Sequence, residues 1–498
     1  MAQTRSPRWL KLSGNRMAKE MLGARRWMLQ QVAVGFIVLA LGGRLAAQAR
    51  EARPLNVVVI LADDLGWSDL VCYGADYHET PHLDRLAADG LRFTNAYAAS
   101  ICSPTRASLL TGKHHARLGI TIWREGSLRA PTDKKLLPPK SVSDLPYSEW
   151  TIAEVLQAAG YSTAIIGKWH LGAAEGYPEV HGFDTNIGGT LWGAPASYFF
   201  PYRGPFNTET RYVPHLEGGA DGEYLTDRLT DEALKFLDRA GDKPFFLYLA
   251  HHAPHTPIQA KKELQSHYEQ KLRPEHRHRN AAYAAMVQSV DESVGRVRQR
   301  LEMNGLAERT LLIFLSDNGG YLRSATMEVT TNHPLRSGKG SLYEGGVRIP
   351  LIVRWPGVVA AGGVCHEPVT VADIYPTLLA ATDLKGNAEH NAAVDGLNLL
   401  PLLRDPSVRL EREAIYHHYP HYYATTTPAS AIRQRDWKLI QYFEDGQLEV
   451  YNLQDDPGEA KNLAEEQPQR RDELLRALEA WRKSVNAPLP RVNPDWKG

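Results

Sequence analysis

Cysteine is scarce in this chain. Only Cys72, Cys102 and Cys365 occur among 498 residues, too few for a fold built on disulfides, and the odd number leaves at least one thiol unpaired. Net charge is missing as well, because 57 basic residues cancel 57 acidic ones; no global field draws the chain to nucleic acid or to an anionic membrane. Residues 1–49 hold eight Lys or Arg and one acid, and without them the net charge is −7. An anionic substrate then needs a local positive site. No apolar run reaches the ~20 residues of a membrane span, and no repeat or low-complexity tract occurs. A hydrophobic share of 43% beside 23% charged residues is that of a globular protein and excludes disorder and fibre.

Residues 1–49 read as a cleaved signal peptide. Basic residues run up to Arg25 and Arg26, an apolar stretch follows from Val32 to Leu41, and Ala47-Gln48-Ala49 forms a small-x-small cleavage site. Arg25-Arg26-Trp27-Met28-Leu29 also resembles a twin-arginine export signal. The expected location is periplasmic or secreted, with no stable membrane partner.

The length exceeds what one small core can organise. Short β-branched runs alternate with amphipathic segments, the pattern of an α/β fold with a large, mostly parallel sheet sandwiched by helices. Asn56 to Ala62, Ser162 to Ile166, Phe245 to Ala250 and Thr310 to Ser316 are the candidate core strands, and Thr151 to Ala159, Tyr224 to Ala240 and Asn280 to Met303 the crossover helices. Near Ile415 the texture changes: Ala431 to Tyr442 and Leu448 to Leu453 flank Glu444-Asp445-Gly446 and predict an antiparallel hairpin, and a helix follows from Gln467 to Val485. The expected division is a catalytic domain over residues 54–414 and a small C-terminal α+β subdomain with an antiparallel sheet over 415–498.

Ligands of open parallel sheets bind beyond the carboxyl ends of the strands, and here that edge is loaded. Asp63-Asp64 follows the first run, Lys168 and His170 the second, His251, His252 and His255 the third, and Asp317-Asn318 the fourth. A lone Asp-Asp or Asp-Asn pair is usually a turn or a helix cap. Two such pairs at strand ends reverse the odds: adjacent carboxylates there repel each other unless a cation or proton intervenes, and three Asp with one Asn form an all-oxygen set suited to Ca²⁺ or Mg²⁺. Cys102 to Lys113 reads as a loop entering a short helix, which places Cys102 near a helix N-terminus where anionic species are stabilised.

That segment, Cys102-Ser103-Pro104-Thr105-Arg106-Ala107-Ser108-Leu109-Leu110-Thr111-Gly112-Lys113, contains the Cys-x-Pro-x-Arg motif and the Leu-x-Thr-Gly extension by which type I sulfatases mark a cysteine for oxidation to formylglycine (3-oxoalanine). From Leu55 to the C-terminus the chain resembles that family, the formylglycine-dependent branch of the alkaline phosphatase superfamily, in its arylsulfatase and N-acetylgalactosamine-sulfatase form. The resemblance implies one Ca²⁺ held by Asp63, Asp64, Asp317, Asn318 and the modified Cys102. Arg106 is similar to the arginine that holds the formylglycine hydrate. Gly167-Lys168-Trp169-His170-Leu171-Gly172 matches the lysine and histidine motif, Ala253-Pro254-His255-Thr256-Pro257 the next histidine segment, and Gly338-Lys339-Gly340 the last lysine. Thr105 stands where many members have Ser and Lys113 where many have Arg; both lie outside the Cys-Pro-Arg core. With Cys102 modified, Cys72 and Cys365 are free to pair or to stay buried.

The implied reaction is hydrolysis of sulfate monoesters. One hydroxyl of the hydrated aldehyde attacks sulfur, Lys168, Lys339 and calcium neutralise the sulfate oxygens, His255 protonates the leaving alcohol, and His170 takes the proton of the remaining hydroxyl. Substrate contacts are expected from Lys168, His255 and Lys339. A sulfated carbohydrate or an aryl sulfate is the expected substrate, with a formylglycine-generating enzyme as maturation partner. A phosphodiesterase or phosphonate monoester hydrolase of the same superfamily is the alternative. A catalytically dead glycan-binding protein is disfavoured, since Cys102, Arg106 and every metal ligand are retained. Specificity is expected from Gly188 to Thr210, Thr326 to Arg336 and Tyr416 to Tyr423, whose aromatic and His residues suit carbohydrate and aryl groups alike.

Overall fold

The computed structural model describes residues 54–497 apart from 207, 208 and 325, and the predicted signal peptide lies outside the described residues. Residues 55–498 form a single compact unit. Its main sheet contains β1 (Asn56–Ala62), β2 (Leu91–Tyr97), β3 (Ser162–Gly167), β4 (Thr185–Ile187), β5 (Phe245–Ala250), β6 (Thr310–Ser316), β7 (Arg348–Arg354) and β8 (Gly363–Cys365). Their spatial order is β8-β2-β7-β6-β1-β5-β3-β4, with Val369–Thr370 paired to β2 off that path. Every pairing is parallel except those of β7, which runs antiparallel to both β2 and β6.

The central strands read as unbroken apolar runs because both of their faces are covered. In β1, Val58, Ile60 and Ala62 enter one core while Val57, Val59 and Leu61 enter the other. Each Val or Ile so buried contributes roughly 2 kcal/mol relative to exposure. The covering helices are α1 (Pro81–Ala88), α2 (Cys102–Thr111), α3 (Ile152–Ala158), α4 (Leu225–Arg239), α5 (Ala281–Met303) and α6 (Ile374–Thr382). Of these, α1, α4 and α5 close the first face, and α2, α3 and α6 the second. Local capping sets two of the starts: Thr151 and Glu154 form a capping box on α3, and the Asn280 side chain accepts the Tyr283 N–H at α5.

The C-terminal sheet differs from expectation. Ala431 to Tyr442, predicted as one strand of a hairpin, is split, and the sheet has four antiparallel strands: β9 (Ile415–Tyr419), β10 (Ala429–Gln434), β11 (Trp437–Tyr442) and β12 (Leu448–Asn452). Gln434 faces Trp437 across a tight turn at Arg435-Asp436, where Arg435 takes a φ of 56°. Gly or Asn usually marks such a turn, so an arginine there leaves no sequence signal. One face of this sheet packs Ile432, Leu439 and Val450 on Leu474 and Leu478 of α7 (Pro468–Ser484). The other packs Ala431, Ile440 and Tyr451 against Tyr97, Ile101 and Cys102, so the second sheet backs the start of α2. A buried cation fastens it there: Lys438 Nζ lies 2.9 Å from Glu344 and 2.8 Å from Glu459. Cys72 and Cys365 are both free thiols.

Candidate active site

Because β6, β1, β5 and β3 are adjacent and parallel, their carboxyl ends open on one edge. The chain leaves that edge through left-handed backbone at Asp64 (φ 65°), Gly167 (φ 107°) and His170 (φ 61°). At Gly167 a Cβ would stand 2.0 Å from the Ala250 carbonyl oxygen, so only glycine turns β3 toward Lys168 this closely to β5. The non-glycine residues carry strain of order ~1 kcal/mol each, a cost concentrated where side chains must be aimed.

The structure brings the predicted residues together. Lys168 Nζ donates to Asp63 Oδ2 at 2.6 Å. Arg106 donates to Asp317 Oδ2 through Nη2 (2.8 Å) and Nε (3.2 Å), and to the Lys168 carbonyl through Nη1 (2.8 Å), tying the ends of β3 and β6 together from α2. Lys339 Nζ lies 2.7 and 2.8 Å from the two Asp64 oxygens, and Asn318 Nδ2 donates to Asp64 Oδ1 at 2.8 Å. The Asp64 N–H donates to Asp317 Oδ1 at 3.1 Å. Burial raises the Asp63 carboxyl well above the usual range, Asp317 adds to that rise, and Lys168 and Arg106 oppose it. Burial also pushes Asp64 upward, but Lys339, His255 and the Asn318 amide outweigh it and hold the carboxyl at about 2.

The donor set fits a hard cation. Asp63 Oδ1 and Asn318 Oδ1 are buried with no hydrogen-bond partner, although such atoms are normally satisfied. Ligand atoms of Asp63, Asp64 and His255 all lie within 4.8 Å of one another. The carboxylate oxygens of Asp63 and Asp64, with the partnerless Asn318 amide oxygen, are the donor type that suits Ca²⁺, which takes six to eight oxygen ligands.

Cys102 is the first residue of α2, and its N-cap Ile101 supplies no side-chain cap, so the first helical N–H groups and the helix dipole favour an anionic group there. The cysteine is 3% exposed, its Sγ is 3.4 Å from His170 Nδ1, and burial pushes the thiol up to about 11. His255 Nε2 lies 3.6 Å from Asp64 Oδ2, with Nδ1 2.7 Å from the Thr256 carbonyl. Burial and then Lys339 lower His255 to about 3, and burial lowers His170 to about 4 against the pull of Glu125. His251 is turned toward α5, its Nε2 2.9 Å from Ser293 Oγ. Buried His252 has neither ring nitrogen hydrogen-bonded among the described residues.

A cavity of about 390 Å³ opens above this floor, reaching Cys102, His170, His255 and Lys339. Its rim combines Trp123, Glu125 and Arg129 with Phe206, Arg211 and Tyr423. Of the expected specificity segments, Gly188 to Thr210 and Tyr416 to Tyr423 contribute to the lining, but Thr326 to Arg336 does not. In that segment Asn332 instead braces Gly320 and Ser337 through its amide. The segment Trp123–Arg129 was not anticipated; it has no strand-end position or motif to mark it, and only the folded chain carries it to the rim.

Asp69, His78 and His278 form a second cluster close enough to hold an ion. The Asp69 carboxylate, however, already accepts from Gly66 N (2.7 Å), Tyr283 Oη (2.6 Å) and Thr330 Oγ1 (2.6 Å). His278 bridges it to Asp76 at 3.2 and 3.0 Å. Tyr283 Oη also reaches the Asp64 carbonyl at 3.1 Å, so the cluster is a hydrogen-bonded support beneath the strand-end carboxylates.

Comparison with known proteins follows the same lines. The sulfatase family profile matches residues 55–384, and that of the N-sulphoglucosamine sulphohydrolase C-terminal region matches 337–484. A sulfatase of Formosa agariphila is 34% identical over 499 aligned positions, covering 87% of this chain and 89% of its own. Human N-acetylgalactosamine-6-sulfatase is 37% identical, covering 70% of this chain and 66% of its own. Among solved structures, Ps i-CgsB in complex with k-i-k-neocarrahexaose superposes with a TM-score of 0.72 at 30% identity, covering 89% of this chain and 95% of that one. The phosphonate monoester hydrolase of Agrobacterium radiobacter shares the fold, at a TM-score of 0.59 and 20% identity over 87% of this chain and 96% of that one. With the family profile spanning most of the chain and the motif cysteine seated at the loaded sheet edge, the chain belongs to the type I sulfatase family and is a sulfuric ester hydrolase.

Proposed function

We propose that the chain, exported from the cell, hydrolyses sulfate monoesters of a carbohydrate, with Cys102 converted to formylglycine by a generating enzyme. One Ca²⁺ is held by Asp63, Asp64, Asp317, Asn318 and the group at position 102. The observation that carries this reading is the convergence of the motif cysteine, at a bare helix N-terminus, on three buried carboxylates and two partnerless oxygens. The carbohydrate assignment draws on the similarity to a sulfatase of N-acetylgalactosamine and to a structure holding a neocarrahexaose, and on the aromatic rim of the cavity.

When present, the hydrated aldehyde supplies a hydroxyl nucleophile and calcium a cation that lowers its pKa. The chain's own residues do the rest. Arg106, held by Asp317 and the Lys168 carbonyl, fixes the carboxylates and the first turn of α2 as one unit. Lys339 lines the cavity and Lys168 lies fully buried on Asp63, outside the lining; both are assigned to the peripheral sulfate oxygens, where negative charge resides in the transition state. His255 faces the cavity with Nε2 free of donors, so it is the group to protonate the leaving oxygen; the negative charge of a bound sulfate monoester, beside that of Asp64, favours the imidazolium that this role requires. His170 faces position 102 with Nδ1 and is the base there.

The test is peptide mass spectrometry of protein coexpressed with a formylglycine-generating enzyme, combined with sulfate release from aryl and sugar sulfates. Conversion at Cys102 with sulfate release that Cys102→Ala abolishes supports the reading. Full conversion with cleavage of phosphodiesters or phosphonate monoesters and of no sulfate ester overturns it.

A further inference from the structure

Glu125 belongs to no motif and has no part in the reaction described above, yet its carboxylate stands directly behind His170. Glu125 Oε2 is 2.7 Å from His170 Nε2. Its other oxygen accepts the Gly193 N–H at 3.1 Å and Arg211 Nη2 at 3.2 Å. The side chains are 2% (His170), 19% (Glu125) and 7% (Arg211) exposed. Backbone bonds pin the histidine from both sides: its N–H donates to the Thr190 carbonyl at 3.0 Å and its carbonyl accepts Ser103 Oγ at 2.8 Å. Its Nδ1 looks the other way, at Cys102 Sγ 3.4 Å distant.

An ionised carboxylate only accepts hydrogen bonds, and a neutral imidazole carries one N–H. The nitrogen facing Glu125 must therefore be the protonated one. We propose that Glu125 is a positioning residue that fixes His170 in the Nε2–H tautomer and thereby aims the Nδ1 lone pair at the group on position 102. The inference rests on the proposed role of His170 as a base. On that role His170 receives its proton at Nδ1, and the imidazolium charge then faces the Glu125 carboxylate, which stays ionised. Gly193 and Arg211 orient the carboxylate, and the Arg211 guanidinium lies over the Phe206 ring at 3.8 Å. The rim that meets the substrate is thus also what holds the base in register.

The first measurement needs no modified cysteine. In protein labelled with ¹⁵N-histidine and left as Cys102, long-range proton–nitrogen correlations, assigned to His170 with His170→Asn, should show Nε2 protonated and Nδ1 bare. Glu125→Gln should exchange or mix the two forms, because a carboxamide donates as readily as it accepts. In the formylglycine enzyme, Glu125→Gln should lower kcat by about 100-fold, the lower range of general-base contributions, with KM unchanged, and Glu125→Asp should recover part of the loss. Protonation at Nδ1 in the wild type, an unaltered tautomer and kcat in Glu125→Gln, or a loss confined to KM would each overturn the proposal. Should Glu125→Gln fail to fold, the wild-type tautomer and the same kinetics on Arg211→Lys decide it. A formylglycine-bearing wild type that hydrolyses no sulfate ester would instead sink the proposed function, and the tautomer would still be read independently.

Discussion

At the floor of the cavity nearly every predicted site residue leaves a buried strand end or the first turns of a buried helix, whereas the rim is assembled from Trp123–Arg129, the loop around Gly193, the strand end at Arg211, and Tyr423. The floor is buried and charge-paired, with Asp63, Asp64, Arg106, Lys168 and Asp317 at most 1% exposed. Rim residues such as Arg129 and Leu128 are largely exposed. Chemistry is thereby set apart from selectivity except at Glu125 and Arg211, the proposed supports of His170: the floor needs positions accurate to a fraction of an ångström, while the exposed rim residues can vary without disturbing the sheet.

Substitutions that hit both sides of this division test it. Asp317→Ala should have the largest effect, since it removes a proposed calcium ligand and strips the buried Arg106 of its partner. Breaking a buried pair from one side costs about 3–5 kcal/mol, so chemical denaturation should show that loss while calorimetry shows no calcium binding. Next comes His255→Ala, expected to lower kcat by about 10²–10³-fold on sugar sulfates, within the range of acid–base catalysis. The loss should be much smaller on aryl sulfates with acidic phenols, which need no protonation to leave. Calcium chelation should abolish turnover without unfolding the chain, and calcium at ~100-fold above its Kd should raise stability by about 2.7 kcal/mol.

The support beneath the floor predicts a pH dependence of smaller size. Burial would raise Asp69, but hydrogen bonding from His278 and the charges of His78 and His278 hold it at about 2. A depressed carboxyl stabilises the fold above its unfolded pKa, and the effect is lost as pH falls from ~4 through 2; roughly 2 kcal/mol is at stake. His278 is raised by Asp69 and Asp76 against the cost of burial, so its contribution is present below its unfolded pKa and is lost as pH rises through the folded one. The stability gap between wild type and His278→Asn should therefore peak between those limits and close on both sides. Smallest of all, Phe206→Ala should change KM for a sugar sulfate by up to ~10-fold, the value of one aromatic contact, with little effect on a small aryl sulfate.

The same division governed what the sequence disclosed. Asp63-Asp64 and Asp317-Asn318 were legible because they interrupt long apolar runs at their carboxyl ends, and parallel pairing of those runs then placed them side by side. Cys102 and Arg106 were legible through a motif. Lys339 stands at no strand end, and only family resemblance singled it out. Glu125 and Arg211 gave no signal, because a carboxylate on the one-turn helix Arg124–Ser127 meets a guanidinium from the short strand Glu209–Arg211 and a histidine from a third segment only after the chain has docked them. The split at Arg435 was hidden for a related reason: its backbone is set by pairing of the flanking strands instead of by its own preference. Asn332, in a segment expected to face substrate, proved to be spent on bracing backbone.

Every residue of α2, from Cys102 to Thr111, is buried, which constrains the order in which the molecule can be made. On the proposed conversion of Cys102, the modifying enzyme would have to reach a residue that the finished fold holds in a buried helix. The proposed modification would then come before the fold closes over the helix. The topology supplies the delay: Asp64 and Asn318 are 254 positions apart, and β1 cannot pair with β6 until that length of chain exists and has searched for its partner. Sheets closed by such distant contacts form slowly. The chain between the two carboxylate-bearing strands, which includes β2 to β5, would thus delay closure and leave Cys102 open to the proposed modification during synthesis.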